Sequence, residues 1–196
     1  MTTKTSQSQY IIDSAIFTAD RNPSLDNKPI DISKSIAELN IFESVELPYL
    51  TGTCALVDDV RFRDVVGIKG SERVTFTILA SENAEPIIKT FMITGIASNI
   101  SVNERTELHT LTLIEEHAYL SSIMKISESY TGIPEQIVIS VLNSHLNKAV
   151  RFNSGIASQQ RMKVNIPYWN PLQATEWLRD RMSSSLGAPY FLYASL

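Results

Sequence analysis

The sequence predicts an α+β fold, mainly β: a small antiparallel barrel or sandwich at the N-terminal end, then an α/β region with two helices. Three observations carry this. Through the first 115 or so residues, short β-branched-rich runs alternate apolar and polar side chains. Turn signals separate these runs roughly every 10–15 residues. Beyond about position 117 the apolar period lengthens to that of helices, each opened by a proline.

Taken in order, residues 10–18 form the first strand, closed by Asn22-Pro23-Ser24. Ile36, Leu39, Ile41, Val45 and Leu47 mark a longer extended stretch, in which odd positions from Leu39 to Leu47 are apolar except Glu43. Pro48 removes a backbone donor and stops this strand or confines it to an edge. Residues 53–57 follow Gly52, with Asp58-Asp59 as the next turn. The run 73–79 puts Val74, Phe76 and Ile78 on one face. Glu85-Pro86 turns the chain into 87–96, and 108–114 alternates again. The β-barrel is therefore assigned to 1–117 and the α/β region to 118–196.

In that second region Gly132-Ile133-Pro134 opens a helix whose apolar face is Ile137, Val138, Val141, Leu142 and Leu146. Glu135, Ser140, Asn143 and Asn147 lie outside that face. Asn170 is suited to be an N-cap, Pro171 to the first helical position, and Gln173 completes a capping-box spacing. Ala174, Trp177, Leu178 and Arg181 share a face, Gly187 supplies a left-handed stop, and 190–196 is strand-like. An apolar strand running to the last residue, with no polar tail, leads us to expect that 118–196 is incomplete at its C-terminal end.

Composition narrows the function. The 196 residues are 43% hydrophobic and 19% charged, which excludes disorder and collagen-like structure. Acidic residues outnumber basic ones 21 to 17, for a net charge of -4 and a pI near 5.4. No basic stripe is visible, so sequence-specific nucleic acid is not an expected partner. The single cysteine, Cys54, excludes an internal disulfide. No apolar run approaches the roughly 20 residues that span a bilayer, and the polar start lacks a signal peptide's apolar middle. A soluble chain made in the cytoplasm, with no direct membrane insertion, is the expectation.

No reactive constellation emerges. His109 lies among threonines on an alternating strand and is expected to face solvent. Glu115-Glu116-His117 has metal-ligand atoms, but adjacent strand residues point to opposite faces. His145, at the edge of a helix's apolar face, reads as a partly buried structural histidine. Cys54 has no activating neighbour in its strand and reads as a small buried apolar residue. Ser183-Ser184-Ser185 resembles a fraying helix end, and neither phosphate-loop nor dinucleotide glycine patterns occur. No catalytic, metal or cofactor-binding residue is assigned, no cofactor is expected, and the chain is not expected to be an enzyme.

Two aromatic features remain. Tyr168-Trp169, with Trp177, reads as a hydrophobic staple and helix-to-sheet core contact; a ligand-stacking surface is the other reading. Pro48, Tyr49 and Leu50 place apolar side chains in a loop between strands and are the candidate interaction loop. Their other reading is that Tyr49 and Leu50 cap the end of the barrel.

The segment Ile41-Phe42-Glu43-Ser44-Val45-Glu46-Leu47-Pro48-Tyr49-Leu50-Thr51-Gly52, followed by Asp58-Asp59 and Gly70-Ser71-Glu72-Arg73-Val74, resembles the N-terminal barrel of baseplate hub proteins of contractile-tailed phages. Ile126-Ser127-Glu128-Ser129-Tyr130-Thr131-Gly132 and its following helix continue the same order of features. So do Ile166-Pro167-Tyr168-Trp169-Asn170-Pro171-Leu172, Trp177-Leu178 and Gly187-Ala188-Pro189-Tyr190-Phe191. The resemblance is collinear from about residue 36 to the end. It implies a tudor-like barrel and a homotrimer whose barrels form a pseudo-sixfold ring. That ring would join the tail tube, or a tube-initiator protein, to the central spike, with the tape-measure protein as a further neighbour. The implied location is the tail baseplate of the virion, or a related contractile injection machine. Symmetry matching of this kind needs large surfaces rather than reactive groups, and an open edge strand is one way to extend a sheet between subunits. From the residues alone, a small-ligand or carbohydrate-binding β module stacking on Tyr168, Trp169 and Tyr49 is the alternative.

Overall fold

The computed structural model describes residues 10–19, 28–59, 62, 66, 68, 70, 72–81, 84–102, 106–152, 161–184 and 187–196. The polar lead-in 1–9 and the turn expected at Asn22-Pro23-Ser24 lie outside them. The chain forms two compact units, one of Met1–Phe42 with Thr51–Glu115 and Leu196, the other of Glu43–Leu50 with Glu116–Ser195.

The first unit holds seven strands: β1 (Ile11–Thr18), β2 (Ile30–Asp31), β3 (Ile36–Phe42), β4 (Thr51–Asp58), β5 (Arg73–Leu79), β6 (Ile87–Ser101) and β7 (Glu107–Glu115). They make one antiparallel sheet in the order β2-β1-β5-β6-β7-β4-β3, curled into a half-barrel. The mainly β, α+β expectation holds, but the sheet is not a closed barrel. Closure would pair β2 with β3, and a two-residue β2 offers almost no ladder.

Strict alternation builds the inner face. Buried positions are Ala15 and Phe17 on β1, Cys54 and Leu56 on β4, Val74, Phe76 and Ile78 on β5, and Leu111 and Leu113 on β7. Phe76 meets Phe91 edge-on at 5.9 Å, and Phe17 meets Phe62 at 5.1 Å. Each buried phenylalanine contributes about 2–3 kcal/mol of transfer free energy. Hydroxyl pairs lace adjacent strands on the other face: Ser14 Oγ donates to Thr77 Oγ1 at 2.9 Å, and Thr75 and Thr90 are 3.0 Å apart.

Two strands differ from the periodicity's bounds. β3 ends at Phe42 rather than running to Leu47, because β4 begins with Thr51 opposite Phe42 and supplies no partner beyond it. β6 runs five residues past Ile96, since β7 offers partners as far as Ser101 opposite Glu107. A strand lasts as long as its neighbour does.

The second unit contains α1 (Glu116–Ile123), β8 (Ile126–Gly132), α2 (Pro134–Leu146), β9 (Met162–Trp169) and α3 (Pro171–Arg179). Three helices appear among the described residues where two were expected; α1 is short and buries only His117, Ala118 and Ser121. β8 and β9 pair antiparallel. α2 starts at Pro134 as its sequence requires, and Asn147 ends it in the left-handed region (φ 49°). The Lys148 amide then donates to Leu142 O at 3.2 Å.

α3 departs from the capping expectation at both ends. Asn170 makes no side-chain cap; its Oδ1 accepts from Lys125 Nζ. The buried Leu172 amide donates instead to Ser121 Oγ of α1 at 3.0 Å, so a tertiary contact does a local cap's work. The helix stops at Arg179, well before Gly187, whose φ of 78° serves a separate turn where its amide donates to Ser184 O at 2.9 Å. Ser184 is thus a turn residue, not a fraying helix end. Residues 190–196 form no strand: the Ala194 amide donates to Leu47 O at 3.3 Å, and one isolated bridge joins Ser183 to Pro189. A strand needs a ladder, and this segment lacks one.

Candidate functional site

The candidate loop comes first. Pro48 and Leu50 are buried, Leu50 completely, and Tyr49 is half-buried. His117, itself buried, donates from Nε2 to Pro48 O at 3.0 Å. Arg179 Nη1 donates to Glu46 O at 3.4 Å. Of the three candidate residues only Tyr49 offers surface, while Val45 earlier in the loop is exposed.

His109 corrects an expectation. It does not face solvent: its exposure is 1%. β7 puts it in phase with Leu111 and Leu113, and the threonines at 110 and 112 belong to the opposite face. That parity is a signal legible in the sequence. Its Nε2 lies 3.3 Å from Asp58 Oδ2 and 3.6 Å from Glu107 Oε2, and its buried Nδ1 has no hydrogen-bond partner among the described residues. Asp58 ends the inward series Cys54, Leu56, Asp58 on β4, and its Oδ1 accepts the Phe62 amide at 2.6 Å. The aspartate thus organises the chain after β4, as a turn aspartate does, but from a buried position. A general base must reach its substrate, and this ring does not. A cavity of about 120 Å³ borders Asp58, lined also by Asp31, Ser35, Leu56 and Phe62 among others.

In the second unit, Glu128 and Tyr130 of β8 share a face with His145 of α2. His145 Nε2 is 3.3 Å from the Tyr130 hydroxyl and 3.4 Å from Glu128 Oε2, and Tyr130 donates to Glu128. That hydrogen bond holds the Glu128 carboxyl below the usual range. Burial, then Glu128, pushes the Tyr130 phenol up. His145 is partly buried and structural, as expected.

The aromatic cluster is not the core contact that its spacing suggests. Trp169 and Trp177 do join β9 to α3, with ring centroids 5.7 Å apart, but both are only half-buried. Tyr168 is 71% exposed. Arg181 stacks over the Trp177 ring at 3.6 Å. Cys54 is buried in the first unit, and burial pushes its thiol up to about 12. Among the described residues no three His, Cys, Asp or Glu side chains group as metal ligands, and no helix is long and apolar enough to cross a membrane.

A crystal structure of the 43 kDa tail protein of prophage MuSo2 from Shewanella oneidensis superposes on 91% of this chain, with a TM-score of 0.50 and 12% identity. The fold is shared with a phage tail protein. The chain spans about half, 54%, of that protein's length. A structure of the Francisella PdpA-VgrG complex matches over 79% of this chain and 23% of that one, at a TM-score of 0.41 and 9% identity. No protein-family model and no curated protein matches the sequence.

Proposed function

We propose that the protein is a non-catalytic structural subunit of a phage-type tail, located in the virion. The observation that carries this is the fold shared with the prophage tail protein across 91% of the chain. The finer reading is a baseplate hub: a homotrimer whose β-rich units form a pseudo-sixfold ring between the tail tube and the central spike. The collinear resemblance from about residue 36 onward supports it. So does a sheet bounded by β2 and β3, which can continue into a neighbouring subunit.

Light scattering after size exclusion tests this reading. A mass near three times 21.9 kDa supports the hub. Capture of tube and spike proteins by the trimer is then expected. A monomer at about 100 μM, with neither tube nor spike retained, overturns it. The second reading, a carbohydrate-stacking module, is favoured by the exposed Tyr168 beside Trp169 and Trp177. It predicts a monomer that binds glycans.

A further inference from the structure

The connection from β3 to β4 is long for a hairpin. It runs over 43–50, and the residues on either side of it, Phe42 and Thr51, face each other across the ladder. Hairpin loops usually take about two to five residues, and a longer loose loop loses more entropy when the hairpin closes. This segment packs with Glu116–Ser195, although the chain on both sides of it is sheet. Pro48 and Leu50 are buried there.

Three successive carbonyls of the connection are each held from a different place. Arg179 Nη1 of α3 donates to Glu46 O at 3.4 Å, the Ala194 amide to Leu47 O at 3.3 Å, and Nε2 of the buried His117 of α1 to Pro48 O at 3.0 Å. Inside the segment Ser44 organises a turn: its Oγ accepts the Glu46 amide at 3.2 Å, and its carbonyl accepts the Leu47 amide at 3.3 Å. Donors from α1, α3 and the last residues of the chain thus converge on three peptide units in a row. A loop that only had to join two strands would leave such carbonyls to water.

β3 is the strand that such a clamp governs. Among the described residues it pairs only with β4, whereas β4 also pairs with β7. No position of β3 is buried, while every second residue of β4 is. The hold of β3 on the sheet therefore rests on its ladder hydrogen bonds and on how its ends are fixed, with little apolar burial to support it.

We propose that Glu43–Leu50 is a strap: held at the Glu46, Leu47 and Pro48 carbonyls, it keeps β3 paired to β4 and so sets the edge that the sheet presents. With the strap held, the chain ends at Phe42 and Thr51 are fixed and pairing loses little entropy. With it released, the hairpin closes over a loose loop, and β3 frays before the rest of the sheet. The pairing of β3 is thus the property that a change in the strap's contacts alters. The device acts within one chain and does not depend on the oligomer proposed above.

Amide hydrogen exchange on the intact chain, read by mass spectrometry, tests the strap. Ala194→Pro deletes the donor to Leu47 O, and Arg179→Ala, at a partly buried position, deletes the donor to Glu46 O. The double variant is expected to speed exchange in 36–42 of β3 by about tenfold, with 73–79 of β5 and 134–146 of α2 within about twofold of wild type. Arg179→Ala alone, with circular dichroism confirming its fold, is expected to speed 36–42 by about threefold. Asp180→Ala removes the ion pair of Arg179 but leaves the strap, and is expected to change nothing in 36–42. Unchanged exchange in 36–42 on loss of the donors would overturn the proposal. So would an equal rise in β5 or α2, which marks a general loss of stability, or an equal effect of Asp180→Ala.

Discussion

The Nε2 of His109 lies 3.3 Å from Asp58 Oδ2, and both residues are buried at the end of the half-barrel's inner face. The aspartate carries two duties, since its other oxygen holds the Phe62 amide. Removing one partner of a buried pair strands the other, which costs more than the pair's net worth. Asp58→Ala is expected to lower unfolding free energy by about 3 kcal/mol in urea titration. A loss below about 1 kcal/mol would show that the pair is not a structural element.

Ser121 and Asn170 make a contrasting pair at the start of α3. Ser121→Ala leaves the Leu172 amide buried without its acceptor and should cost about 1–2 kcal/mol. Asn170→Ala removes only an exposed contact with Lys125 and should cost under about 0.5 kcal/mol. Equal costs, measured by thermal unfolding of both variants, would sink this account of the cap.

Cys54 predicts both reactivity and pH dependence. Its thiol should resist alkylation in the folded chain at neutral pH and react readily in denaturant. Burial raises its folded value from 9.0 to about 12, so only the unfolded chain ionises between those limits. Its contribution is therefore fully present below pH 9 and is lost as pH rises towards 12. Cys54→Ala, compared with wild type in urea at pH 8 and 10.5, should flatten that part of the decline. An unchanged slope would contradict it.

Gly52 is constrained by space. A Cβ there would meet Asn40 O at 2.6 Å, a backbone atom of the paired strand β3, whereas a Cβ at Gly95 meets nothing within 4 Å. Gly52→Ala should therefore cost about 1–3 kcal/mol, and Gly95→Ala should be free of that steric cost. Differential scanning calorimetry of the two variants reads the difference directly, and similar melting temperatures would refute it.

Much of the β unit was legible because parity is local. Val74, Phe76 and Ile78 face inward as their alternation requires, and Cys54 is buried with them. His109 was misjudged because its threonine neighbours drew attention away from its phase with Leu111 and Leu113. α2 was readable from its apolar spacing and Pro134. α1 was not, since eight residues with three buried positions carry almost no periodic signal. At the aromatic cluster the residue types were visible, but the slipped register that exposes Tyr168 was not.

The sequence by itself determined that Val74, Phe76 and Ile78 share the inward face of β5, where α2 begins, and that the net charge is acidic. Those properties depend on residues a few positions apart. Only the tertiary structure decided that β1 pairs with β5, that the sheet stays open between β2 and β3, and that Ser121 rather than Asn170 caps α3. Each of these joins residues tens of positions apart, and no local periodicity encodes which distant partner supplies a hydrogen bond.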